Sequence, residues 1–83
     1  MPHDHHVVLF TRKGCHLCEQ ALAKLRDEHL EVESIDIDTR PHYLRLYDQV
    51  VPVVVIDGKE RFRGEVDRRL LRRLLAAQRA ADE

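Results

Sequence analysis

Val7-Val8-Leu9-Phe10-Thr11-Arg12-Lys13-Gly14-Cys15-His16-Leu17-Cys18 is the stretch on which the reading of this chain turns. Its first four residues form a continuous apolar run, the pattern of a strand covered on both faces. Thr11 to Gly14 breaks that run with polar residues and a glycine. From Cys15 the apolar period becomes helical. Cys18, Ala21, Leu22 and Leu25 fall at i, i+3, i+4 and i+7, with Glu19, Lys24 and Arg26 off the stripe. This helix is expected to end near His29.

The remaining elements follow with short joins. Val32 to Ile37 reads as a second strand, with Ile35 and Ile37 alternating against Asp36 and Asp38 and Val32 out of phase. Thr39 is expected to cap a short helix that tolerates Pro41 in its first turn and carries Tyr43, Leu44 and Tyr47 on one side. Val50 to Ile56 is the most β-prone segment. Pro52 donates nothing to a sheet ladder and so belongs at that strand's start. Asp57-Gly58 suits a two-residue hairpin turn in which both residues need positive φ. Lys59 to Arg63 is the return strand, and Gly64 ends it. Val66, Leu70, Leu71, Leu74 and Ala77 mark a last amphipathic helix running to about Ala81. The order is β-α-β-α-β-β-α. The first βαβ unit is expected to be parallel and right-handed. The fold class is α/β, a four-stranded mixed sheet with helices on both faces.

Eighty-three residues allow one domain over 1–83, with residues 1–6 expected as a flexible terminal tail. A net charge of −1 supplies no broad positive field, so nucleic acid is not an expected partner. No apolar run is long enough to cross a membrane. The first six residues resemble no secretory signal, so a cytoplasmic setting is expected. The charge is uneven: acidic residues gather around Glu31–Asp38, basic ones at Arg12-Lys13 and along the last helix at Arg68, Arg69, Arg72, Arg73 and Arg79. That basic run reads first as a solvated face.

The two cysteines are too few for a disulfide scaffold. Placed between a strand and a helix, Cys15 lies near the helix's unpaired N–H groups and positive dipole end. Arg12, Lys13 and His16 add positive charge nearby, and a lowered thiol pKa follows. Cys18 lies on the inward stripe, one turn on, where it can attack a mixed disulfide on Cys15. Cys15 is therefore the expected nucleophile and Cys18 the resolving thiol. The bland alternative makes both small core hydrophobes. A zinc site wants four ligands, and only one such pair exists. His3, His5 and His6 are the nearest supplement, but they fall in the terminal tail. The small copper-carrying domain also sets Cys-X-X-Cys after its first strand, but its order ends on a strand, and this chain ends on a helix. No metal site is expected.

Leu9 to Cys18 is similar to the opening of glutaredoxins and their small bacterial relatives. Val50-Val51-Pro52-Val53 resembles the cis-proline segment of the thioredoxin superfamily, and Gly64 with Asp67 resembles part of a glutathione-recognition turn. The resemblance implies a thioredoxin-like fold with a cis peptide before Pro52. It also implies that Val51 offers its backbone N–H and C=O to a bound peptide or glutathione as an added strand. Arg12, three residues before the nucleophile, would pair with a glutathione carboxylate. The chain departs from the family pattern in carrying His16-Leu17 where Pro-Tyr is common, and in having one glycine and one matching acid in the turn. Phe62-Arg63 resembles glutaredoxin-like redoxins that take electrons from thioredoxin reductase. Asp67 also reads as a charge complementing the last helix's dipole, and Tyr43 and Tyr47 as core packing.

The expectation is a dithiol oxidoreductase that reduces protein disulfides or glutathione mixed disulfides. Glutathione or thioredoxin reductase is the expected electron donor. The protein is expected to be monomeric and to need no bound cofactor beyond glutathione as co-substrate. The alternatives are a non-catalytic copper or zinc carrier using Cys15 and Cys18, and a redox-dead domain that keeps the basic helix as its interface.

Overall fold

In the computed structural model, residues 5–82 are described, with side chains described through residue 77. Residues 1–4 of the expected tail, His3 among them, and the side chain of Arg79 lie outside these bounds. The elements are β1 (Val7–Thr11), α1 (His16–Asp27), β2 (Val32–Asp36), a 3₁₀ turn (Ile37–Thr39), α2 (Pro41–Tyr47), β3 (Val53–Ile56), β4 (Lys59–Arg63) and α3 (Arg68–Asp82). This is the expected β-α-β-α-β-β-α order. The sheet runs β2-β1-β3-β4, with β1 parallel to β2 and antiparallel to β3, and β3 antiparallel to β4. No described helix is long and apolar enough to cross a membrane.

Each face of the sheet carries its own core. On one face Val7, Leu9, Val54 and Ile56 pack with Ala21 and Leu25 of α1 and with Leu71 and Leu75 of α3. On the other, Val8, Phe10, Val53 and Ile37 pack with Tyr43, Leu44 and Tyr47 of α2. Both ring centroids of Tyr43 and Tyr47 lie 4.7 Å from that of Phe10, so these tyrosines are packing residues. The two-sided covering explains the continuous apolar runs in β1 and β3. It also explains the phase of β2: Val32 joins the first face and Ile35 the second.

Several local expectations are corrected. Thr39 does not cap α2. Arg40 is the residue before the helix, it makes no side-chain cap, and Pro41 opens the first turn. The Thr39 hydroxyl donates instead to Asp36 O, at 2.7 Å, and closes the 3₁₀ turn that takes Ile37 out of β2. On α3 the buried positions are Leu71 and Leu75, while Leu70 and Ala77 are exposed. Nor are the last two residues of the expected tail loose. His6 N–H donates to Asp57 Oδ1 at 2.8 Å, Asp57 N–H donates to His6 O at 2.8 Å, and His5 Nδ1 lies 2.9 Å from Asp57 Oδ2.

Two turns rest on positive φ. Asp57 (52°) and Gly58 (85°) make the expected hairpin turn. Beyond it β4 carries a bulge: Val55 faces Glu60 but Val54 faces Phe62, which leaves Arg61 as the extra residue. Helix α1 ends on His29 at φ 61°. His29 N–H donates to Arg26 O at 2.9 Å and Leu30 N–H to Leu25 O at 3.4 Å, the left-handed ending that glycine usually supplies.

Candidate functional site

The topology delivers the sequence-predicted residues to one end of the sheet. Phe10 faces Val53 and Thr11 faces Asp36, so the C-terminal ends of β1 and β2 meet the N-terminal end of β3. Arg63, at the end of β4, faces Val53 as well. The loop to Cys15, the segment after β2, Val51-Pro52 and Gly64 therefore leave the sheet at this same edge. The peptide between Val51 and Pro52 is cis, as the resemblance implied. Gly64 N–H donates to Pro52 O at 2.7 Å, which ties the turn after β4 to the proline segment. Val51 is half-buried, and its peptide groups take no intramolecular backbone partner among the described residues.

Cys15 is the N-cap of α1. Its Sγ accepts from Cys18 N–H at 3.2 Å, one of the N–H groups a helix leaves unpaired in its first turn. Its carbonyl accepts from Glu19 N–H at 3.1 Å. The two cysteines form a disulfide, with Cα atoms 5.2 Å apart. They differ in access: Cys15 is half-buried and Cys18 is 2% exposed, within the stripe that includes Ala21 and Leu25. Between them His16 and Leu17 face solvent, Leu17 with 46% of its surface exposed. His16 Nδ1 lies 3.7 Å from Glu19 Oε2.

Arg12 is not a free cation beside the sulfur. Its Nε and Nη2 donate to the two oxygens of Asp38, at 3.2 and 2.6 Å, and its Nη1 donates to Asp48 O at 2.6 Å. Nη2 also lies 3.0 Å from Asp48 Oδ1. These carboxylates raise the Arg12 pKa, and the guanidinium holds Asp38 below the usual aspartate value. Neither aspartate stands out in the sequence, because each meets Arg12 only through the fold. Lys13 is exposed and makes no ion pair among the described residues.

Asp67 is the cap of α3: its Oδ1 accepts from Arg69 N–H at 2.8 Å and Leu70 N–H at 3.1 Å. The dipole-complementing reading of this residue thus has direct hydrogen bonds behind it. Val66 and Leu71 flank the cap and share one core cluster, a hydrophobic staple. Lys24 of α1 donates to Val66 O at 2.8 Å. The basic run on α3 divides: Arg68 pairs with Asp27 and Arg72 with Glu28, whereas Arg69 and Arg73 face solvent. No group of three or more metal-binding side chains occurs among the described residues.

Comparison with known proteins places this geometry. Residues 6–76 match the family model described as glutaredoxin-like domain (DUF836). A solution NMR structure of a Nitrosomonas europaea protein is 32% identical, with a TM-score of 0.77 over 89% of this chain and 94% of its own. An X-ray structure of an X. campestris protein is also 32% identical, with a TM-score of 0.73 over 86% of this chain and 96% of its own. Glutaredoxin from Archaeoglobus fulgidus, at 22% identity, has a TM-score of 0.63 over 84% of this chain and 85% of its own. This last likeness shows the fold alone, which is thioredoxin-like. No curated protein matches the chain.

Proposed function

The chain belongs to the glutaredoxin-like domain family, and on that premise we propose that it is a dithiol thiol–disulfide oxidoreductase with Cys15 as nucleophile and Cys18 as resolving thiol. A thioredoxin-like fold with a Cys-X-X-Cys pair supports thiol redox function in general. The observation that carries the finer reading is the asymmetry of the pair. The Cys15 sulfur caps a helix and accepts an N–H, and Cys15 is only half-buried, while Cys18 is enclosed.

The steps follow from that asymmetry. The Cys15 thiolate attacks one sulfur of a substrate disulfide, forms a Cys15–substrate disulfide and expels the other sulfur as a thiolate. Cys18 then loses its proton and attacks Cys15 Sγ. The Cys15–Cys18 disulfide forms, and the second substrate sulfur leaves as thiolate. Substrate gains two electrons and the protein loses two. An external thiol or dithiol reverses the sequence, so no bound cofactor takes part. Cys18 N–H helps because it stabilises negative charge on the sulfur it meets. Val51 would align the substrate by strand addition beside the cis-proline, with Lys13, His16 and Gly64 lining the approach. A monomer working in a reducing, cytoplasmic setting belongs to the same proposal, since such a setting regenerates the dithiol.

The test is purified protein with a model disulfide, coupled in turn to glutathione with its reductase and to thioredoxin reductase. Turnover is expected with at least one system. Cys15→Ser is expected to abolish it, and Cys18→Ser to accumulate a mixed disulfide visible by mass spectrometry. Full turnover in Cys15→Ser, or none by wild type in either system, refutes the proposal. Tight copper(I) or zinc binding without any turnover would favour a carrier.

A further inference from the structure

We propose that the Arg12–Asp38–Asp48 clasp makes this site a reader of protein disulfides rather than of glutathione, an inference that rests on the redox reading above. Arg12 was the residue expected to receive a glutathione carboxylate. Three of the five N–H donors of a guanidinium are already used, on both oxygens of Asp38 and on Asp48 O. The fork that would clamp a bound carboxylate holds an internal one instead.

Local charge points the same way. The single guanidinium of Arg12 meets the carboxylates of both Asp38 and Asp48. Asp36 is itself engaged, accepting from Asp38 N–H at 2.9 Å. Asp67, in the turn expected to meet the other end of glutathione, spends its Oδ1 on two N–H groups of α3. The cation expected to meet a small anionic thiol is therefore engaged by the protein itself, and so is one oxygen of the expected acid.

A protein substrate needs neither of them. Leu17 presents an exposed apolar side chain between the cysteines, and Val51 offers peptide groups without an intramolecular backbone partner among the described residues. An extended backbone with an apolar residue near its cystine fits that combination. The clasp also has a positioning effect: it links the loop that carries Cys15 to Asp48, three residues before Val51.

The experiment measures a half-reaction, so it does not depend on turnover. Oxidised protein is reduced by glutathione and by its diethyl ester, which lacks the carboxylate charges. Each thiolate attacks Cys15 Sγ and expels the Cys18 thiolate, and a second thiol completes the reduction. Rates are divided by those of the same thiols with a small reference disulfide. Wild type is expected to show a glutathione-to-ester ratio of about one or less, with little dependence on salt. Asp38→Asn with Asp48→Asn releases the guanidinium and is expected to raise the ratio about five- to tenfold, an increase that salt erases. Reduced wild type is expected to reduce insulin faster than oxidised glutathione.

A wild-type ratio of about ten or more that collapses in salt overturns the inference, even where the double variant fails to fold. So does a folded double variant with an unchanged ratio, or a preference for oxidised glutathione over insulin. Absence of turnover with every disulfide counts instead against the redox-enzyme proposal, and the half-reaction still decides this one.

Discussion

Asp67 separates a structural role from a ligand role in one pair of variants. In Asp67→Ala, α3 loses the acceptor that satisfies Arg69 and Leu70 N–H, at 2.8 and 3.1 Å. An N-cap of this kind is worth about 1 kcal/mol. The charge at the helix's positive end adds about 0.3–1 kcal/mol. Helix α3 contributes Leu71 and Leu75 to the larger core, so loosening its first turn is felt by the whole fold. Asp67→Ala is therefore expected to cost about 1–2 kcal/mol. In a domain of this size that lowers Tm by about 4–8 °C per kcal/mol. Asp67→Asn keeps an equally good capping oxygen and loses only the charge, so its cost is expected to stay near the dipole contribution alone. Thermal unfolding of the oxidised protein by circular dichroism gives the two shifts, and disulfide turnover is measured beside them. Equal losses of Tm in the two variants refute the capping argument. A large fall in turnover in Asp67→Asn with Tm nearly unchanged shows a substrate contact instead.

Three more outcomes test other parts of the structure. Leu71→Ala empties a fully buried position and is expected to cost about 2–5 kcal/mol in urea unfolding, a large part of a small domain's stability. His29→Gly removes a side chain from φ 61° and is expected to stabilise by about 0.5–1 kcal/mol; a lower Tm would show that the imidazole contributes more than the strain it brings. Asp38 is held below the ordinary aspartate pKa of 3.8 by Arg12, so its contribution is complete above that value and is lost as pH falls through its lower folded value. Wild type is then expected to lose stability more steeply than Asp38→Asn below about pH 3.8, and parallel acid profiles would contradict the clasp.

What could be read in the sequence was local. The run Val7–Phe10, the stripe Cys18-Ala21-Leu22-Leu25 and the pair Asp57-Gly58 each carry their structure within a few residues, and each element formed as expected. Leu75 is harder to find because α3 has apolar residues at 70, 71, 74, 75, 76 and 77, which allow more than one phase. Only docking on the sheet selects Leu71 and Leu75. The Thr39 cap failed because Asp36, one turn earlier, accepts the hydroxyl through its carbonyl and draws Ile37 into a 3₁₀ turn. The contacts that redefine the site had no local signal. Arg12 meets Asp38 and Asp48 across 26 and 36 residues, and His5 meets Asp57 across 52. Such pairs follow from strand order alone.

Both the unequal access of the cysteines and the character of the surface between them come from one piece of helix geometry. With Cys15 at the N-cap, Cys18 is the third helical residue, where the inward stripe of α1 begins. Its N–H reaches back to the Cys15 sulfur while its own sulfur is enclosed. His16 and Leu17, at the first two helical positions, are left facing outward. A change at either position then alters what a substrate meets without disturbing the core. This chain places an apolar side chain there, and the charge of Arg12 in the preceding loop is already answered by two aspartates. Strand order and cap geometry are thus the two supports of the proposed substrate, an extended protein segment met by apolar contact and backbone pairing, where charge adds little.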